Sequence, residues 1–161
     1  NEYFTEMDRV IRGFGGEIDK LVGDAIQAVF KEGEGIEHPA IRAARAGLAM
    51  RRSLAALNHA RSLRGEFTVE NGVGIHFGKM IAGKVGATGG RQDFTVIGSA
   101  VAFAARLEAA SRRGVRTKVI VSAETAALIA REFPCEPLEG VEEKGACEIV
   151  RDPVENTETA V

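Results

Sequence analysis

The sequence lacks three things that would each assign it to a class. Neither charge dominates: 21 Lys and Arg stand against 23 Asp and Glu, for a net charge of −2. No broad basic field results, which argues against nucleic acid as a partner. No apolar run approaches the ~20 residues that a membrane-spanning helix needs, and no signal peptide is visible. The two cysteines, Cys135 and Cys147, have no metal-ligand spacing and make no disulfide framework. Internal repeats and low-complexity segments are absent too. These absences predict a reduced, soluble, cytoplasmic domain with no membrane contact of its own. What is present is a 161-residue chain, 45% hydrophobic and 27% charged, enough to bury the core of one domain. It opens on Asn1 rather than Met, so a longer parent chain is expected.

Asn1 to Arg12 reads as a helix, because Tyr3, Phe4, Met7, Val10 and Ile11 recur at helical spacing. Gly13, Gly15 and Gly16 end it. Two short apolar segments follow, Glu17–Val22 and Ala25–Phe30, joined only by Gly23-Asp24. Two strand-like runs joined by two residues, glycine first, predict a tight hairpin with Asp24 exposed at its tip. An acidic, glycine-containing loop covers 31–38, and Pro39 opens a long helix to about Leu63. Ile41, Leu48, Leu54 and Leu57 mark its apolar face, and its arginines are expected to be solvated.

Val69–Phe77 alternates, with Val73, Ile75 and Phe77 on one side and Gly72, Gly74 and His76 on the other. Two glycines on one face let a helix or a second backbone come close. Gly78-Lys79 is expected to turn the chain into Met80–Val85 as a second hairpin. A loop at 87–91, a strand at Phe94–Ile97 and a helix from Ser99 to about Arg112 follow. Lys118–Val121 reads as a strand, Ser122 as the N-cap of a short helix, and Leu138–Val150 as a last hairpin. Asp152–Val161 reads as a polar tail after a domain of residues 1–151. The order predicts an α+β fold with a mostly antiparallel sheet and helices to one side. Such a sheet calls for a strand before the first helix, and this sequence contains none.

Two segments carry chemistry. In GGEIDKLVGDAIQAVF, Asp24 sits on a two-residue turn with Lys20 four positions earlier. A carboxylate on a rigid turn suits Mg²⁺, which takes one or two carboxylates plus substrate phosphates. From this feature alone, the preference of Asp for turns is the simpler explanation of the residue. In RQDFTVIGSAVAFAARLEAASR, Thr95 leads through Gly98 into a helix start, a geometry that favours anions. Arg106 lies on that helix among Ala102, Phe103, Ala104, Ala105 and Leu107, which predicts a buried partner or an interface role.

GGEIDKLVGDAIQAVF resembles the metal-bearing hairpin of class III nucleotidyl cyclases. VGIHFGKMIAGKVG and DFTVIG…AARLE resemble the family's next two motifs, in the right order, and the likeness runs from NEYF to Lys144-Gly145. The resemblance implies a ferredoxin-like α+β core with added hairpins, working as a homodimer with sites at the subunit interface. It implies an adenylyl cyclase of bacterial type, converting ATP to 3′,5′-cyclic AMP and pyrophosphate with two Mg²⁺ or Mn²⁺ ions per site. Asp24 then matches the second of two metal-binding aspartates. Lys20 matches the base-reading position, where guanylyl cyclases carry glutamate, and a Lys donor suits adenine N1. Thr95 matches the second base-reading position. Arg106 matches the arginine that stabilises charge on the transferring phosphate, and Lys144 a lysine that grips the terminal phosphates.

The sequence departs from the family in two ways. The other metal aspartate belongs on a strand before the first helix, and Asp8 and Asp19 are misplaced to substitute for it. Ala102 stands where the motif has an asparagine that positions the ribose, and Ser99-Ala100 replaces the usual Asp/Asn-Thr. An alternative reading is therefore a degenerate cyclase-homology domain that dimerises and binds nucleotide with little turnover. A diguanylate cyclase would need a GGDEF-like run, which VGDAI does not supply. His76 is expected to be packed, His38 and His59 to lie at the surface, and Met50 and Met80 to fill the core.

Overall fold

Met7, Val10 and Ile11 bury one stripe of the first helix, α1 (Glu2–Gly13), as their spacing requires. The computed structural model describes residues 2–154. After α1 comes the expected hairpin, β1 (Glu17–Val22) and β2 (Ala25–Val29). The long helix α2 (Pro39–Leu63) follows. Next come β3 (Val73–Ile75), β4 (Ile81–Gly86), β5 (Gln92–Ile97) and helix α3 (Ser99–Ala110). The chain continues with β6 (Val119–Val121), α4 (Ala123–Ile129), β7 (Cys135–Pro137) and β8 (Cys147–Ile149).

The strands form three sheets: β1-β2, β4-β5, and a four-stranded sheet in the order β3-β6-β8-β7. Only the β3–β6 pairing is parallel among the described strands, so the α+β class with mostly antiparallel strands holds. Two details of the expected layout do not. Val69–Phe77 and Met80–Val85 form no hairpin: β3 pairs with β6, and β4 pairs with β5 across the 87–91 loop. Alternation along a strand defines its faces but not its hydrogen-bonding partner. The helices also cover both faces of the central sheet rather than one.

That second correction follows from β6. Val119 and Val121 point to a core shared with Ala44 and Leu48 of α2, Ile129 of α4, Phe133 and Ile149. Ile120, between them, points the other way, onto Leu107 of α3 and Ala146. Glycines set both distances. A Cβ on Gly47 would already touch Val73 and Val119 at 3.2 and 3.3 Å. A Cβ on Gly74 would lie 2.3 Å from the Glu108 nitrogen and 2.4 Å from the Ala104 oxygen, so any side chain there would push α3 off the sheet.

The arginines of α2 are not a solvated face. Arg51 donates to the Thr117 and Asn71 carbonyls at 3.1 and 2.7 Å. Arg52 pairs with the buried Asp152, which was expected in the loose tail. Arg42 donates to the Gly15 and Lys31 carbonyls, and Arg45 bridges Glu37 and Glu132. Long cationic side chains lay their stems on the helix and reach loop carbonyls that have no strand partner. The remaining tail, 155–161, lies outside the described residues.

Glu148 does comparable work on the sheet. Buried on β8, it accepts from the backbone nitrogens of Val115, Arg116 and Lys118 at 3.0–3.1 Å, and holds the loop that delivers β6.

The edges of β2 and β3 that face each other carry no strand between them among the described residues. An apolar groove of about 400 Å³ separates them, lined by Ala28, Gly47, Ile75, Val96 and Ala104.

Candidate functional site

The first hairpin turns through Gly23-Asp24. Gly23 has φ +62° and Asp24 is not in the left-handed region, the II′ pattern that requires glycine first. Asp24 is exposed at the tip and takes part in no hydrogen bond or ion pair among the described residues. An uncommitted carboxylate on a rigid turn is a hard oxygen donor of the kind Mg²⁺ accepts. Among the described residues no group of three His, Cys, Asp or Glu side chains gathers to hold a metal. Asp24 thus fits as one ligand, and the described residues do not complete a metal site.

Five residues before Asp24 the hairpin is irregular. Ile18 pairs with Ala28 and Lys20 with Gln27, leaving Asp19 as the extra residue of a bulge. The Asp19 carboxylate is only 8% exposed. Its Oδ2 accepts from Thr95 Oγ1 and Gln27 Nε2, each at 2.8 Å, and its Oδ1 accepts from the Val96 nitrogen at 3.3 Å. The Lys20 ammonium lies 3.6 Å from the same Oδ2 and remains 39% exposed. Asp19 therefore stitches the first hairpin to β5 and brings Lys20 and Thr95 to one place. Sequence reasoning weighed Asp19 only as a substitute metal ligand and missed this bridging role, because a bulge breaks the alternation from which facing is read. A charged residue in mid-strand was the available signal.

Arg106 is tied to Glu143, the residue that precedes Lys144. The Arg106 Nε donates to Glu143 Oε1 at 2.5 Å, and the guanidinium lies 5.3 Å from the centre of the Phe103 ring. Arg106 is more than half exposed despite its apolar neighbours, because Ala102, Ala105 and Arg106 share the outward side of α3 while Leu107 is buried. Lys144 follows Glu143 in an exposed turn. Glu143 is the second residue that sequence reasoning missed; nothing in its local pattern marks it.

His76, His38 and the two cysteines are engaged in packing or capping. His76 Nδ1 shares a hydrogen bond of 2.7 Å with Ser122 Oγ, which bonds Thr125 in turn, and its ring meets the Phe103 edge. Burial lowers the His76 pKa, so the neutral ring is favoured. It is packed, as expected. His38 departs from its expected surface role: Nδ1 accepts from the Ala40 nitrogen as the N-cap of α2, and the ring packs on Phe77 with the two planes tilted by 60°. Met80 is exposed, not core. Burial pushes the Cys135 thiol up to about 11 and raises that of Cys147, so neither is a ready thiolate.

The whole of residues 1–156 matches the family model described as the adenylate and guanylate cyclase catalytic domain. The chain belongs to that family. It is 38% identical over 117 residues to an adenylate cyclase of Anabaena cylindrica, covering 70% of this chain and 22% of the relative. It is 37% identical over 155 residues to the terminal-differentiation-specific adenylate cyclase of Dictyostelium discoideum, covering 93% of this chain and 7% of that protein. The crystal structure of the adenylyl cyclase CyaB from P. aeruginosa superposes with a TM-score of 0.76 at 30% identity, covering 94% of this chain and 80% of that one. The chain thus spans under a quarter of either curated relative. No helix among the described residues is long and apolar enough to cross a membrane.

Proposed function

We propose that this cyclase-family domain is the catalytic part of an adenylyl cyclase, converting ATP to 3′,5′-cyclic AMP and pyrophosphate. In this reaction the ribose 3′-oxygen attacks the α-phosphorus, its proton is lost, and the bond from that phosphorus to the pyrophosphate oxygen breaks. The observation that carries the reading is the convergence of Lys20 and Thr95 on one carboxylate, although Thr95 lies 76 residues from Asp19. A donor-only ammonium beside a hydroxyl is suited to the base edge of adenine. Arg106, held at the protein surface, would take up charge developing on the transferring phosphate, and Lys144 would hold the terminal phosphates. Asp24 would supply one carboxylate to a pair of Mg²⁺ or Mn²⁺ ions, whose chemistry when bound is to neutralise triphosphate charge.

Asp24 touches neither pair, in keeping with a homodimer whose two subunits contribute different halves of each site. Leu21, Val22, Ile81 and Val85 are each more than half exposed on the two hairpins, apolar surface that a second copy would cover. A second reading, a nucleotide-binding domain with little turnover, is favoured by one observation: Ala102 presents no polar group on the face that carries Arg106.

The test is cyclic AMP formation from ATP with Mn²⁺, run beside cyclic GMP formation from GTP, in the natural full-length protein. Cyclic AMP as the main product supports the proposal. Nucleotide binding without product would favour the second reading, and cyclic GMP as the main product would overturn the base assignment.

A further inference from the structure

We propose that Asp19 sets the base preference of the site by fixing the direction of the Thr95 hydrogen bond. The inference rests on the assignment of Lys20 and Thr95 to the base edge. A threonine hydroxyl is ambiguous, with one proton to donate and lone pairs to accept. Alone at a base edge it would bond the 6-amino group of adenine or the 6-oxo group of guanine equally well.

Asp19 removes that choice. Its carboxylate can only accept, and Oδ2 lies 2.8 Å from Thr95 Oγ1, so the hydroxyl proton is spent on Asp19. The outward lone pairs of Oγ1 then form an acceptor and nothing else. The same Oδ2 holds the Lys20 ammonium at 3.6 Å, and an ammonium can only donate. One donor beside one acceptor complements adenine, which offers N1 as acceptor and its 6-amino group as donor. Guanine offers the reverse at both positions.

Asp19 joins the two hairpins and, in the same contacts, fixes the polarity of the Thr95 hydroxyl. It is the unpaired residue of a bulge, buried, and supplied with three hydrogen-bond donors from β2 and β5. A buried carboxylate is costly unless fully bonded; an apolar residue at this position would avoid that cost but would take away the acceptor used by Thr95, Gln27 and the Val96 nitrogen. Asp19 is a positioning residue: it reads the base only through Thr95 and Lys20.

Asp19→Asn tests this, because it keeps shape and bonding while reversing one polarity. The Val96 nitrogen keeps its oxygen acceptor, and the Gln27 amide can turn to present its oxygen. The new Nδ2 would donate to Thr95 Oγ1, and the hydroxyl proton would turn outward. Fluorescent ATP and GTP analogues are titrated into the full-length natural protein, with Asp19→Asn, Lys20→Glu, Thr95→Val and the Asp19→Asn/Thr95→Val double variant beside it. The expected result is an ATP-to-GTP affinity ratio lowered about tenfold in Asp19→Asn, the size of one reversed hydrogen bond. With Thr95→Val already in place, Asp19→Asn should change the ratio little.

If Lys20→Glu shifts the ratio and folded Asp19→Asn does not, the role of Asp19 falls while the base-edge assignment stands. If neither variant shifts it, the base-edge assignment falls and this inference with it. Should Asp19→Asn fail to fold, Thr95→Val alone decides: with the sole acceptor gone the ratio must drop, and an unchanged ratio overturns the proposal.

Discussion

Arg106 and Glu143 are joined at 2.5 Å, a helix residue held by a loop residue 37 positions later. The same loop carries Lys144 next in sequence, so both cations assigned to phosphate belong to segments joined by this ion pair. Glu143 is only 17% exposed, whereas Arg106 is 54% exposed. The guanidinium is therefore anchored at one end and open to solvent at the other. Any phosphate that approaches Arg106 must compete with Glu143 for it.

Glu143→Gln should consequently tighten nucleotide binding by about 2–5-fold, since an exposed ion pair contributes at most about 1 kcal/mol. For the same reason, thermal stability should barely move. Titration of nucleotide and a melting curve on the same protein check both halves. Weaker binding would mean that Glu143 orients Arg106 rather than competing for it.

Asp24→Asn should abolish metal-dependent turnover while leaving the melting temperature in place. Asp24 makes no hydrogen bond or ion pair among the described residues, and the turn depends on Gly23. Activity with Mn²⁺ and a melting curve separate loss of function from loss of fold. Full residual turnover would remove Asp24 from the metal-ligand role.

Ala102→Asn should raise turnover, by up to about 10²–10³-fold if the ribose otherwise lacks a positioning group. The side chain at 102 is exposed on α3. Asparagine inside an exposed helix costs only about 0.7 kcal/mol relative to alanine. Initial rates at saturating ATP read the effect; an unchanged rate would show that the missing asparagine is not what limits the site.

His76 should make stability fall on acidification. Burial holds its pKa below the ordinary value of 6.5, so below that value the unfolded chain binds more protons than the folded one. Its stabilising contribution is complete above the unfolded pKa and is lost as pH falls toward the folded one. Melting temperatures from pH 7.5 to pH 5 should therefore drop more steeply in the wild type than in His76→Asn, with the carboxylates common to both. Parallel curves would contradict the assignment of a neutral buried ring.

The candidate site was legible where a residue's role is local. Asp24 at the hairpin tip follows from two apolar runs separated by Gly23-Asp24, and Ser122 as an N-cap follows from Thr125 three residues on. The approach of α3 to the sheet was written into Gly72 and Gly74, because a face without side chains admits a helix. Asp19 and Glu143 were not legible. Each matters through a partner 76 or 37 residues away, and no spacing within a segment encodes such a contact.

Local sequence therefore determined the elements: the helices by apolar spacing, the first hairpin by its turn, the strands by alternation. Their energetics are settled within a few residues of chain. Tertiary structure alone decided the partners: β3 beside β6 rather than β4, α2 and α3 on opposite faces, arginines bound to loop carbonyls, and Thr95 delivered to Asp19. Those pairings depend on which buried polar groups and apolar faces remain unsatisfied once the elements exist, and that is a property of the whole packed chain.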